Sequence, residues 1–382
     1  MTTAWTAAHI AALEGQPLPV PGLIGEDDAQ RILPDLLLWD MWPLQQADGR
    51  LAEVNGGSLW MVLGALDRGD PILRHFEAKI RLLHLDADGW HDLGDMLPQG
   101  LGDFEREWSG SALLEGDQVT LFFTAAGYAD RPGGFQQRLA ETSGTLQPDG
   151  RITDWSAVRE SVVADGAVYL AADKHEGAPG TVKAFRDPAF FIDPKDGARY
   201  LVFTGTLAAS DHAFNGAVGL ARKDETGAWQ LMPPIIHADT LNNELERAQI
   251  IAHQGLYYAF WSTQRSVFNP GGPTGPTGFY GMVADSLNGP WRPLNGTGLV
   301  IANPDEEPMQ TYSWFATSDL LVCSFVDHWG LKGRKPSDSA LVAAETFGGT
   351  PAPMVRIALD KDRSSIVEVF AMDRLHAVCD AG

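Results

Sequence analysis

From residue 36 onward the hydrophobic pattern comes in short bursts. SLWMVLGAL, AKIRLLHL, QVTLFFTAA, RYLVFTGT, LYYAFWST and DLLVCSFV each hold eight or nine residues rich in β-branched and aromatic side chains. Between such bursts stand polar tetrads and pentads such as DADG, QPDG and DPKDG, in which Asp bonds back to the chain and Gly adopts left-handed backbone, as tight turns require. The pattern predicts an all-β fold of short strands joined in pairs. Helical spacing is confined to the start, where TAAHIAALE over residues 6–14 predicts one short helix ended by the Pro and Gly of QPLPVPG. No repeat of fixed period emerges, and no Ser-rich linker or charge block divides the chain. Residues 1–382 therefore read as one domain with a helical and extended lead-in over residues 1–35. The stretch NPGGPTGPTG, Asn269 to Gly278, reads as a surface loop without regular structure.

Charge narrows the partners. Twenty-eight Lys and Arg stand against 50 Asp and Glu, a formal charge of −22, which repels phosphate backbones and anionic lipid surfaces. Nucleic acid and membrane are therefore not expected as partners, whereas a neutral sugar is indifferent to the charge. Cys323 and Cys379 are the two cysteines, so neither a disulfide scaffold nor a cysteine-based zinc site is expected; two buried thiols are the simpler reading, with pairing left open. The first basic residue is Arg31, and His9 interrupts the only early apolar stretch, so the start lacks the pattern of a cleavable secretory leader. No run reaches the roughly 18 apolar residues of a membrane span.

Against this background three acids stand in dense surroundings: Asp40 in WDMWP, Asp187 in AFRDPAFF and Glu246 in NNELERAQI. A carboxylate in an apolar run loses hydration worth several kcal/mol unless something compensates. On a straight strand Asp40 shares one face with Leu38 and Trp42 while Trp39 and Met41 take the other, setting aromatic area beside the acid. In FRDP an extended backbone sends Arg186 and Asp187 to opposite faces. In NNELER, Glu244 and Glu246 fall on one strand face with Arg247 opposite, and like charges so placed raise the pKa of at least one acid, as a general acid needs. Each motif also has a plainer reading, as a strand end, a turn or a solvated charge pair. Jointly the acids suit glycoside cleavage, in which retention uses one carboxylate as nucleophile and one protonated carboxyl about 5–5.5 Å away.

Seven blocks tie the chain to a family. WDMWPLQQADG from Trp39, EWSGSA from Glu107, FRDP from Phe185, ELERA from Glu244, STQR from Ser262, LNGPWRPLNGTGLV from Leu287 and TYSWF from Thr311 follow one another in the order found in the levansucrase family of glycoside hydrolases, which the chain resembles from about Leu37 to Ala352. That family includes levansucrases, inulosucrases and some β-fructofuranosidases. The resemblance implies a five-bladed β-propeller with a central funnel-shaped site. It implies that Asp40 is the nucleophile forming a covalent fructosyl-enzyme, that Glu246 is the acid and base, and that Asp187 holds fructose hydroxyls and stabilises the oxocarbenium-like transition state. Substrate contacts are implied for Trp39, Trp108, Ser109, Arg186, Glu244, Arg247, Arg265 and Tyr312, and Gln264 and Arg265 stand where the resemblance implies acceptor contacts.

Two positions depart from the family pattern. Met41 replaces the Ser usual in WDSWP, which alters support behind the nucleophile, and Asn243 stands where calcium-binding members carry Asp. Asparagine keeps an oxygen but loses the charge that strengthens calcium binding, so neither a required metal nor another cofactor is expected. The implied reaction is cleavage of sucrose, with fructose passed to sucrose, fructan or water. A mainly hydrolytic β-fructofuranosidase, an inverting furanosidase and a non-catalytic sugar-binding propeller remain alternatives. The family's habit points to an extracellular or periplasmic site of action, with a cytoplasmic one left open by the missing leader.

Overall fold

The computed structural model describes residues 2–173 and 180–370, and among these the chain is almost entirely strand and turn. Five antiparallel meanders follow one another. The first runs Leu36–Gln45, Gly57–Leu66, Lys79–Asp86 and Gly89–Asp95. The second runs Arg106–Glu115, Gln118–Ala126 and Gln137–Leu146, edged by Ile152–Thr153 and Arg159–Val162. Phe185–Ile192, Arg199–Thr206, Gly216–Lys223 and Trp229–His237 form the third. The fourth comprises Glu246–His253, Leu256–Thr263 and Gly278–Ala284, edged by Arg292–Pro293 and Leu299–Ala302. Thr311–Ala316, Leu321–His328, Met354–Asp360 and Arg363–Phe370 make the fifth, with Phe347–Pro351 added beside its second strand.

The first strands lie side by side in chain order, and that of the fifth meander packs back against that of the first, so the five close a ring. Meanders one and two are also stitched by a short parallel pairing, Leu44 with Ala112 and Gln45 with Leu113. The apolar bursts fill the spaces between neighbouring sheets, as where Phe122 of the second meander meets Phe190 and Trp229 of the third, and Phe191 of the third meets Tyr257 of the fourth with ring centres 6.1 Å apart.

The lead-in is woven into this frame. Thr3 and Ala4 extend the third meander in parallel with Ile236 and His237, and the Trp5 ring is buried against Trp261, Phe268 and Tyr280 of the fourth with its indole N–H donating to Thr297 O at 3.0 Å. The helix is shorter than its sequence pattern, Ala7–Ala11, because Ile10 alone is buried and so short a helix has little else to hold it. Further on, Gln310 donates to Gly22 O and accepts from Ile24 N, tying the lead-in to the fifth meander. The stretch from Asn269 through Thr277 is irregular as expected, the next strand starting at Gly278. No helix among the described residues is long and apolar enough to cross a membrane. Cys323 is a buried free thiol that burial pushes up to about 12, and Cys379 lies outside the described residues.

Candidate active site

Every first strand loses register near its middle. Trp39 pairs with Leu63 and Met41 with the adjacent Val62, leaving Asp40 over; Trp108 pairs with Thr124 and Gly110 with Phe123, leaving Ser109 over. In the third, fourth and fifth meanders two residues stand opposite one: Asp187–Pro188, Arg247–Ala248 and Ser313–Trp314. Four bulged residues take positive φ, Asp40 at 40°, Asp187 at 58°, Arg247 at 54° and Ser313 at 59°. A bulge re-aims a side chain without ending the strand. Gly110 serves the second bulge, since a Cβ there would come within 1.8 Å of Phe122 O.

The bulges correct two expectations drawn from straight strands. Trp39 and Met41 face opposite sides rather than the same one, because Asp40 is the extra residue between consecutive pairs. Arg186 and Asp187 do not point apart either: the left-handed turn at Asp187 brings its Oδ2 within 3.5 Å of Arg186 Nε. Glu244 precedes the strand that begins at Glu246, so a shared strand face is not what joins them; the Arg186 Nη2 donates to Glu244 Oε1 and to Glu246 Oε1, the latter at 3.1 Å.

These residues surround one cavity of about 330 Å³, whose walls include Asp40, Asp187, Glu246, Glu244, Arg186, Trp39, Trp108, Ser109, Gln264 and Tyr312. Ser109 Oγ donates to Asp40 Oδ2 at 2.5 Å, holding one carboxylate oxygen and leaving the other lone pairs for the cavity. Thr204 Oγ1 donates to Asp187 Oδ2 at 3.1 Å, and the Asp187 backbone N–H donates to Thr124 Oγ1 at 2.8 Å. The Tyr312 hydroxyl donates to Glu246 Oε2.

Burial lifts two of the acids alike. Burial, reinforced by the Glu244 charge, raises the Glu246 carboxyl to about 7. Burial also raises Asp187 to about 7, with the Arg186 and Arg247 charges opposing and those of Glu246 and Asp40 adding. Burial, then the Glu246 charge, pushes the Tyr312 hydroxyl well above its usual range, so it stays a donor. The surrounding acids and the hydrogen bonds to Glu244 and Glu246 hold Arg186 charged against its own burial. The arrangement can therefore present a carboxylate, a proton and a fixed positive charge to one small molecule.

Two expected contact residues stand apart. Arg247 is buried behind the cavity wall, its guanidinium over the Trp42 and Phe315 rings and donating to Met41 O at 3.2 Å and Ser313 Oγ at 3.3 Å. Its left-handed backbone turns it into the ring of strands instead of the opening. Met41, the departure behind the nucleophile, is thus held through its carbonyl. Arg265 opens a tight turn, Arg265–Val267, and is exposed outside the lining, while Gln264, Ser266 and Val267 line it.

Arg74 and His75 were missed by the sequence reading, and both line the cavity. They come from the turn Pro71–Phe76, whose start is marked by Asp70 accepting from Ile72 N at 3.1 Å with Pro71 next. That Asp-Pro signature was available in the sequence, but nothing local tells where the turn docks. Burial and the Arg74 charge hold His75 neutral, well below its usual range. Asn243, the departure before ELER, has its Oδ1 accepting from Gly180 N and its Nδ2 donating to Ala213 O at 2.7 Å.

Comparison with known proteins gives the family and the fold. A family model described as levansucrase/invertase matches residues 3–215 and 210–375. A levansucrase of Pseudomonas savastanoi pv. glycinea is 30% identical over 425 residues, covering 99% of this chain and 94% of that protein. An extracellular sucrase of Zymomonas mobilis is 29% identical, covering 88% and 86%. Among solved structures, the inulosucrase from Halalkalicoccus jeotgali bound to kestose superposes with a TM-score of 0.87 at 36% identity, covering 98% of this chain and 97% of that one.

Proposed function

Because the chain belongs to the levansucrase/invertase family of glycoside hydrolases, we propose that it is a levansucrase-type fructosyltransferase that cleaves sucrose with retention. In this reading the five meanders are the blades of one propeller domain and the cavity is its central funnel. The Asp40 carboxylate attacks the fructosyl anomeric carbon while the bond from that carbon to the glucosyl oxygen breaks. Glu246 gives its proton to that oxygen, and glucose leaves. Sucrose, a growing fructan or water then enters; Glu246 takes the proton of its hydroxyl, the oxygen attacks the anomeric carbon and the ester to Asp40 breaks. Asp187 and Arg186 hold fructose hydroxyls, and the Asp187 charge stabilises the positive character of the transition state. Tyr312 keeps Glu246 oriented, and Trp39 and Trp108 offer flat apolar area to the sugar. A relative named as an extracellular sucrase supports a site of action outside the cytoplasm.

The observation that carries the reading is the convergence of Asp40, Asp187 and Glu246, from three different first strands, on one cavity where Glu246 is raised to about 7. A time course on sucrose with free glucose and free fructose measured separately tests it. Glucose in excess of fructose is expected, the deficit being fructose transferred to acceptors. Equal amounts would make the enzyme a hydrolytic β-fructofuranosidase, and sugar affinity without release of glucose would make it a binding protein.

A further inference from the structure

Lys183 stands between the third meander and the approach to Glu244. Its ammonium donates to Ala213 O at 2.9 Å and to Asn215 Oδ1 at 2.7 Å. Both are neutral oxygens, and burial lowers the Lys183 pKa. Asn243 Nδ2 reaches the same Ala213 carbonyl, and its Oδ1 accepts from Gly180 N. Asn215 is itself buried and fixed, its amide donating to Leu207 O at 2.9 Å. The backbones are equally close: Gly216 N donates to Asn242 O at 2.9 Å, and a Cβ on Gly216 would meet Asn243 O at 2.5 Å. Three segments thus meet around the Ala213 carbonyl, which Lys183 and Asn243 share: 180–184, which carries the cavity-lining Val182; 213–216; and 242–244, which ends at Glu244.

Carbonyl and side-chain amide oxygens are the hard donors that a calcium ion takes, and a carboxylate among them strengthens the site. Here the position that is Asp in calcium-binding relatives is an asparagine whose N–H, not its oxygen, meets the shared carbonyl. The acid that would complete a calcium site is missing, and a protein cation is already in contact with the Ala213 and Asn215 oxygens. We propose that Lys183 is a built-in cation that takes the place of a bound calcium ion at this junction. Asn243 complements it, because a neutral side chain suits a single positive charge where an acid would suit a divalent one.

Thermal unfolding of the full chain in chelator and in excess calcium chloride tests this independently of sucrose cleavage. The wild-type Tm is expected to be the same in both to within about 1 °C, and Lys183→Met to lower it by about 3–5 °C with no recovery on adding calcium. Lys183→Arg, which keeps the charge, is expected to stay closer to wild type than Lys183→Met. The double variant Lys183→Ala with Asn243→Asp removes the ammonium and supplies the acid, and its Tm is expected to rise by several degrees with calcium. A wild-type Tm that falls in chelator and returns with calcium would overturn the proposal, as would Lys183→Met unchanged in Tm or a double variant indifferent to calcium.

Discussion

The first and second strands of each meander are neighbours with opposite characters. In the first four meanders second strands pair with third strands without a break, as in Gln118–Ala126 against Gln137–Thr145, Tyr200–Thr206 against Gly216–Arg222 and Tyr257–Thr263 against Gly278–Ala284. First strands slip, and four of the slipped residues hold left-handed backbone that costs an L-residue on the order of 1 kcal/mol each. The regular strand of one meander steadies the irregular strand of the next. Thr124 Oγ1 accepts from Asp187 N at 2.8 Å, Thr204 Oγ1 from Arg247 N at 3.0 Å and Ser262 Oγ from Trp314 N at 2.9 Å. The chemistry sits where the sheets are least regular, and the hydroxyls of their most regular part hold it there.

The sharpest way to break the comparison is at a bulge itself. Asp40→Asn keeps size and tolerates positive φ, so the fold should persist with its Tm near wild type while kcat falls by about 10⁴-fold. Turnover within tenfold of wild type, in a preparation verified by mass, would remove Asp40 from the nucleophile's role. Glu246→Gln should cost about 10³-fold in kcat, since the proton donor is lost and a single amide oxygen replaces the two that accept from Arg186 and Tyr312.

The pH dependence follows from the same group. With Glu246 at about 7, kcat/KM should fall as pH rises through 7, because the acid loses its proton. Stability moves in the same direction. A carboxyl whose folded value lies above its ordinary 4.5 binds its proton more tightly in the folded state, so that contribution is full below 4.5 and lost as pH rises through about 7. Urea unfolding of Glu246→Gln should show a shallower fall in stability over that window. An equal slope in both proteins would mean that Glu246 is not the group responsible.

Much of this frame was legible in the chain. The short apolar bursts and Asp-Gly turns gave the strands, and the aromatic and proline neighbours singled out Asp40, Asp187 and Glu246. The bulges were not legible, because alternation assumes one residue per pleat and an inserted residue reverses every face beyond it. The repeat was hidden for a related reason. WDMWP, WSGSA, RDPAF, ERAQI and YSWFA all occupy the same place in their meanders, but what they share is a slip in register rather than side chains. Arg247 and Arg265 read alike as cations near the site, yet backbone direction buries one behind the wall and leaves the other outside. Arg74 and His75 enter through docking of a turn, which no local pattern encodes.

A smaller effect is expected from the regular strands. Thr204→Val keeps shape but leaves Asp187 Oδ2 with only the more distant Arg186 Nε and Arg247 N without an acceptor, at a cost of about 1–2 kcal/mol or roughly tenfold in kcat/KM. Loss of the donor should also push Asp187 further upward, and Thr204→Ser should restore both rate and pH profile. A rate loss that serine does not rescue would make Thr204 a packing residue only.

The smallest effect should come from the rim, where neither kind of strand contributes. Gln264 lines the cavity just before the turn that carries the exposed Arg265, and it touches none of the three acids by hydrogen bond. Its amide is placed to meet an acceptor sugar rather than the fructosyl group, so Gln264→Ala should leave glucose release within about twofold of wild type while raising the share of free fructose about twofold. Arg265→Ala should move that share in the same direction but by less, because its side chain starts outside the lining. Equal shifts from the two variants would mean that the turn closes over the acceptor, bringing Arg265 inward; no shift from either would place acceptor selection elsewhere on the cavity wall, with Arg74 and His75 the next pair to test.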